Sequence, residues 1–324
     1  MKISLLNSIT IKNRIKTYNL KTKLVKVLPY VGIVLILLFF EIISDGRLLT
    51  VANGSVIISQ VFSIAIGAAG MIFVISQGNL DFSMGAIVGI VAVVAALVSH
   101  YSLFLTLPVS LLLGALIGVI NGFTNSVLKI PSFIATIGIS FILKGITYIL
   151  LDSGSIGASF YLGKYDTIFI KTIVLLIIMV IGFIVFEYSK FGKRSRAIGS
   201  NIQAAKQCGV NIIKSKILAY VFSGLSCGLV AFFSIVKSFT ASTSTGVNFE
   251  VDVLIALMLG GLPITGGCNS RFRNVIIGSS IMALVSNGMT LWGIDNFNQQ
   301  LIRGVIFILA VIVSFDRKNI TVIK

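Results

Sequence analysis

Ionisable and amide side chains are scarce in this chain, so the few that interrupt its apolar runs are where chemistry has to be sought. The first group is Gln77-Gly78-Asn79-Leu80-Asp81-Phe82-Ser83-Met84-Gly85, which separates two apolar stretches. Asp81 or Ser83 can cap the helix that follows, because either side chain accepts a hydrogen bond from a free backbone N–H. The same turn, with Gln77 and Asn79, can also be a broken helix lining a solute path, since irregular backbone at membrane depth is tolerated only beside protein or water. The residues alone leave both roles open. A second group, Gly246-Val247-Asn248-Phe249-Glu250-Val251-Asp252, precedes a later apolar run. Glu250 and Asp252 suit a helix N-terminus, where anions are favoured. An outer gate or docking surface is the alternative. Asn287, in the small-residue row Ser279-Ala283-Asn287, completes the candidate pathway or gate residues.

Several chemistries are excluded. Cys208, Cys227 and Cys268 are odd in number and show no paired spacing, so neither a disulfide framework nor a zinc site is indicated. His100 is the single histidine, at the end of an apolar run, and reads as interfacial. A metal-dependent intramembrane enzyme would need clustered acids or histidines. The one candidate phosphate loop ends in Gly163-Lys164, but Gly157 stands one residue too far away, and Tyr165 replaces the Ser or Thr that binds magnesium. No catalytic residue and no bound cofactor is expected on this chain.

The elements that must position these groups are membrane helices. The chain has 324 residues, 56% hydrophobic and 11% charged, with a mean hydropathy of +1.04. Soluble domains average about 25% charged residues. The net charge of +16 sits in short loops between apolar runs, which keeps those loops cytoplasmic and argues against nucleic-acid binding. Ten segments have the length and polarity of spanning helices, at about 27–43, 54–75, 83–99, 103–126, 131–151, 168–187, 215–237, 250–268, 273–291 and 298–315. Residues 1–26 carry seven basic and no acidic side chains and form a cytoplasmic N-terminus. An even number of crossings then separates this segment from each later basic group: Lys190 to Lys214, then Arg271 and Arg273, then Arg317, Lys318 and Lys324. The expectation is one transmembrane bundle over 27–316, with both ends inside and a cytoplasmic tail at 317–324. Gly114, Gly118 and Gly122 mark a face for close helix packing, as do Gly85 and Gly89.

The longest cytoplasmic loop carries a further pattern. Ile198, Ile202, Ala205, Gly209 and Ile212 recur at helical spacing and predict one amphipathic helix over about 197–212. Such a helix can present a surface to a partner or lie on lipid headgroups. Within it, Gln203-Ala204-Ala205-Lys206-Gln207-Cys208-Gly209 resembles the Glu-Ala-Ala-x-x-x-Gly coupling helix of bacterial ATP-binding-cassette importer permeases.

From about residue 54 to 316 the chain is similar to the ribose-type sugar permeases of that superfamily. Leu80-Asp81-Phe82-Ser83-Met84-Gly85 resembles the family's Ile-Asp-Leu-Ser-Val-Gly. Pro131-Ser132-Phe133-Ile134-Ala135-Thr136-Ile137-Gly138, Phe191-Gly192, Glu250-x-Asp252, Leu259-Gly260-Gly261, Gly266-Gly267 and Asn287-Gly288 follow in the family's order. Gln203 replaces the usual Glu, and Cys268-Asn269-Ser270-Arg271 replaces a more common Arg-Gly-Ser, which leaves the solute open.

The resemblance implies a transport subunit in the bacterial cytoplasmic membrane, forming a path for a sugar or sugar-like solute. It implies ATPase coupling through Gln203, Ala204, Ala205 and Gly209, with ATP and Mg on partner ATPase subunits. It also implies an external or periplasmic solute-binding protein and a second permease, identical or related. An ion-gradient-driven secondary transporter is the alternative. Such proteins keep several ionisable groups near the midplane, whereas Asp81 has no second acid or histidine beside it in the sequence.

Overall fold

The computed structural model describes residues 31–152 and 154–314. The segments expected as the N-terminus (1–26) and the tail (317–324) lie outside them. In chain order the helices are α1 (Val31–Ile43), α2 (Val51–Ser76), α3 (Met84–Ser99), α4 (Leu103–Ser126) and α5 (Ser132–Leu151). Next comes α6 (Ile168–Phe183), which continues through a π turn at Ile184–Tyr188. Two short helices, α7 (Lys190–Ser200) and α8 (Ile202–Gln207), lead into α9 (Ile212–Ser238). The rest is α10 (Phe249–Leu259), α11 (Arg273–Leu291) and α12 (Asn296–Ser314). The strands β1 (Ser155–Gly157) and β2 (Thr240–Ser242) form one small antiparallel pair. This is an all-α polytopic membrane protein. Among the described residues, six helices are long and apolar enough to cross a bilayer on their own: α2, α4, α5, α6 with its π turn, α9 and α11.

Where the sequence predicts a continuous span over 250–268, the helix is only the 11 residues of α10. Gly261, Gly266 and Gly267 adopt positive φ, and Pro263 has no N–H to continue the ladder. The remainder is a folded loop. By contrast, α3, with 16 residues after the polar turn, agrees with the expected span 83–99 to within one residue.

The most extensive helix pair is α4 with α9, and glycine makes it. A Cβ on Gly114 would lie 2.2 Å from the Gly224 carbonyl oxygen, and one on Gly118 would lie 2.3 Å from the Tyr220 oxygen. In lipid, helix association rests on such backbone approach rather than on the hydrophobic effect. The core gathers between α2, α3 and α9, where Phe62, Phe73, Met71, Ile87 and Tyr220 are fully enclosed. α6 faces outward instead: Lys171 is its buried residue between Ile168 and Phe183, paired with Asp166.

Specific contacts define two ends of the bundle. At one, Ser99 Oγ accepts the Ser159 N–H at 2.9 Å, His100 Nε2 meets the Gly157 oxygen at 2.9 Å, and β1 pairs with β2. At the other, Gly267 N–H donates to the Ser76 oxygen at 2.9 Å, and Cys268 N–H donates to Ser200 Oγ at 2.9 Å. The second end carries Lys190, Lys193, Arg194, Arg196, Arg271 and Arg273.

Candidate functional site

α2 stops at Ser76, and Gly78 at φ +75° reverses the chain. A non-helical strip then runs from Asn79 to Phe82, along which buried and half-buried residues alternate. Gln77, Asn79, Asp81 and Ser83 are all buried within the subunit, whereas Leu80 and Phe82 are half-buried. The candidate pathway residues of this turn therefore point into the protein. Its uncovered side is apolar: Leu80 and Phe82 border a cavity of about 30 Å³ with Ile75, Leu254, Met258 and Phe307. Phe82 also meets Phe133 edge-on at 5.2 Å.

Asp81 is wholly enclosed. Its Oδ1 accepts the Ser83 N–H at 3.0 Å and the Ser83 hydroxyl at 2.6 Å, and its Oδ2 accepts the Ser223 hydroxyl at 2.9 Å. Asn121 Nδ2 donates to Ser83 Oγ at 2.7 Å. Among the described residues no Lys or Arg forms a salt bridge with it, so hydroxyl and amide donors carry the compensation a buried carboxylate needs. The backbone of the turn is satisfied from α5. Leu80 N–H donates to Ser132 Oγ at 3.2 Å, and Phe82 N–H donates to Thr136 Oγ1 at 3.1 Å. This is how irregular backbone survives at such a position.

The expected caps are rearranged. Ser83 occupies the N-cap position of α3 but makes no side-chain cap, and Asp81 folds back on Ser83 instead. The capping oxygen comes from Glu250 Oε2, which accepts the Gly85 N–H at 3.1 Å. Glu250 thus caps the neighbouring helix rather than only favouring its own. Asp252 has another partner altogether: Arg303 Nη1 reaches its two oxygens at 3.1 and 3.0 Å. Asn287 pairs reciprocally with Asn53 through two amide hydrogen bonds of 2.8 and 3.0 Å, joining α11 to α2. The structure thus groups Gln77, Asn79, Asp81, Ser83 and Glu250 around the start of α3, and sets Asp252 and Asn287 in separate links.

The stripe over 197–212 is not one helix. It breaks at Asn201 (φ −163°, ψ 109°), whose side chain caps α8 by accepting from the Gln203 and Ala204 N–H groups. An Asn that can bond the backbone ahead of it competes with helix continuation. Ile198 is buried on α7 and Ala205 on α8, while Gln203, Ala204, Lys206 and Gln207 face outward. Gly209 lies beyond α8 at φ +75°, and a Cβ added there would enter open space. Its role is a left-handed helix stop, with Val210 N–H closing on the Ala205 oxygen at 3.1 Å. It is not a packing contact of a continuous stripe.

α7 is fastened to the polar turn. Gln77 Nε2 donates to Ser195 Oγ at 3.1 Å and to the Ser215 oxygen at 3.0 Å. Phe191 stacks with Phe73 and Phe222 at centroid distances of 5.1 and 5.3 Å. Gly192 is needed beside it, because a Cβ there would sit 1.9 Å from the Phe186 oxygen.

Sequence reasoning passed over Glu187, Arg303, Asn121 and Ser223. Arg303 carried a usable signal, since a lone cation in an apolar run demands a buried acid. Asn121 carried the weaker signal of an amide inside an apolar run, and Ser223 carried none, because a hydroxyl in a membrane helix is readily satisfied by its own backbone.

Three comparisons bear on identity. The family model described as branched-chain amino acid transport system / permease component matches residues 55–311. The xylose transport system permease protein XylH of Haemophilus influenzae is 26% identical, covering 94% of this chain and 99% of its own length. The ribose import permease protein RbsC of Escherichia coli K12 is 26% identical, covering 87% of this chain and 92% of its own. RbsC of Haemophilus influenzae is 27% identical over 93% and 96%. No solved structure matches the chain.

Proposed function

The chain belongs to the family of branched-chain amino acid transport system permease components, and on that premise we propose that it is the sugar-translocating subunit of an ATP-binding-cassette importer. The observation that carries this reading is near full-length similarity to permeases named for ribose and xylose. It is a transport subunit, and ATP is hydrolysed on separate ATPase subunits. An ion-driven secondary transporter has no place for these relatives.

The chain makes ten crossings of the bacterial cytoplasmic membrane, with both ends inside. The basic end, with α7 and α8, faces the cytoplasm under the charge rule for short loops. This assignment is supported by Ser99, Gly157 and Ser242 gathering at the opposite end. α3 and α10 complete their crossings through the non-helical segments before or after them.

The outward residues of α8, Gln203, Ala204, Lys206 and Gln207, receive the ATPase. Gln77 passes the resulting movement from α7 to the polar turn, a route supported by its bond to Ser195. A second copy, or a related permease, completes the path on the side where Leu80, Phe82 and Phe133 are uncovered. A solute-binding protein docks at the end carrying β1 and β2.

The test is uptake of labelled D-ribose, D-xylose and L-leucine by cells lacking their own carriers and expressing this permease with its ATPase and binding protein. Accumulation of either sugar, abolished by inactivating the ATPase, is the expected result. Accumulation of leucine alone would refute a sugar importer.

A further inference from the structure

The π turn after α6 places one carboxylate where three segments meet. Ser189 N–H bonds the Ile184 oxygen at 3.3 Å, and this wider turn carries Glu187 to the underside of α7. π turns are frequent at functional sites. Glu187 Oε2 accepts from Arg196 Nη1 of α7 at 2.8 Å. Its Oε1 accepts the Phe272 N–H at 2.8 Å, in the turn that starts α11. Arg271 Nη1 lies 3.5 Å away. The Glu187 and Arg196 side chains are 14% and 12% exposed, so this pair is poorly screened, whereas Arg271 is 54% exposed and adds less.

The surrounding contacts make the junction stiff. The Arg196 guanidinium lies over the Phe186 ring at 5.3 Å and also donates to the Glu187 carbonyl at 3.2 Å. Phe272 is fully buried, and its ring fills the space that a Cβ on Gly182 would need. At the far end of α7, Ser200 Oγ accepts the Cys268 N–H, and its oxygen is 2.9 Å from Cys268 Sγ. A Cβ on Gly199 would lie 2.0 Å from the Ser76 oxygen. The loop between α10 and α11 is therefore held against α7 at two places, Glu187 and Ser200.

We propose that Glu187 is a positioning residue that locks α7 to the loop ahead of α11, so that α7, α8 and residues 266–272 move as one body. A displacement of α8 then reaches α11 directly, in addition to reaching the polar turn through Gln77. Salt-bridged carboxylates can also serve only local stability, and the two roles separate experimentally. This inference rests on α8 being the ATPase contact, and that contact is tested separately by co-purification of the ATPase with an Ala204→Glu variant, whose altered side chain is exposed.

The experiment uses the assembled importer in proteoliposomes, in a Cys208→Ser background. Uptake of D-ribose or D-xylose, whichever the unaltered complex carries, is measured together with ATP hydrolysis. Glu187→Ala should lower sugar moved per ATP by about 5–150-fold, the span of typical coupling between sites. Glu187→Gln keeps an oxygen for the Phe272 N–H and should lose less. In the Ser200→Cys variant, diamide takes two electrons and two protons from the introduced thiol and Cys268, forming a disulfide. That bond should leave uptake intact. In Glu187→Ala it should restore the lost coupling, and a reductant should remove the rescue. A purely local role for Glu187 would give no rescue.

Unchanged coupling in both Glu187 variants would overturn the proposal. So would a disulfide that stops uptake reversibly in the otherwise unaltered protein, because α7 and the loop would then have to separate. If Glu187→Ala does not insert, Glu187→Gln and the disulfide alone still decide it.

Discussion

Glu250 accepts the backbone N–H of Gly85 at 3.1 Å, so the first turn of α10 supplies the oxygen that the first turn of α3 lacks. Gly85 and Gly246 approach each other so closely that a Cβ on Gly85 would sit 2.2 Å from the Gly246 oxygen. The starts of two short helices therefore meet, and their partly positive ends share one carboxylate. Glu250→Ala should lower stability by about 0.5–2 kcal/mol, as loss of a cap does, and Glu250→Gln by less. Thermal unfolding in detergent checks this order, and equal melting for all three proteins would exclude the cap.

The Asp81 cluster makes a second prediction. Asp81→Ala strands the Ser83 and Ser223 hydroxyls in a closed interior, at about 1–3 kcal/mol for each donor left unpaired. Asp81→Asn keeps an acceptor and should be milder in both stability and uptake. Because Ser223 bonds Asp81 directly, Ser223→Ala and Asp81→Ala should be non-additive in a double-mutant cycle. Strict additivity would mean that the bond contributes nothing.

The α4–α9 seam predicts a sharp contrast. Gly114→Leu drives a side chain into the Gly224 carbonyl, whereas Leu112 on the same helix is 61% exposed and Leu112→Ala should be tolerated. Fluorescence-detected size exclusion reads this directly: the first variant should lose its monodisperse peak and the second should keep it. A normal peak for Gly114→Leu would mean that the seam can open.

Thiol labelling tests the orientation. Cys208 and Cys268 are exposed and Cys227 is fully buried. A membrane-impermeant maleimide should leave intact cells unlabelled and reach Cys208 and Cys268 in inverted vesicles. Labelling of Cys208 from outside would invert the topology.

How far the sequence could be read is clear from particular residues. The glycines at 114, 118 and 122 announced a packing face because close approach in lipid has few other solutions. The polar turn was also visible, but not the direction of its side chains. Whether Asp81 or Phe82 faces inward depends on Ser223, Asn121 and Thr136, which lie far away in sequence. The break at Asn201 was hidden by a stripe of apolar residues that two consecutive helices satisfy as well as one. Likewise, nothing local to Glu187 points to Phe272, because its partner there is a backbone N–H.

The central claim is that this chain moves a sugar only when an ATPase acts through α8. The most direct measurement is sugar accumulation by proteoliposomes containing the permease and its ATPase, with the loaded binding protein on one side and ATP on the other. Accumulation should require ATP and fail when Ala204, exposed on α8, is changed to Glu, with the variant still inserted in the membrane. Accumulation by the permease alone under an imposed ion gradient, or full ATP-driven uptake by Ala204→Glu, would contradict the account.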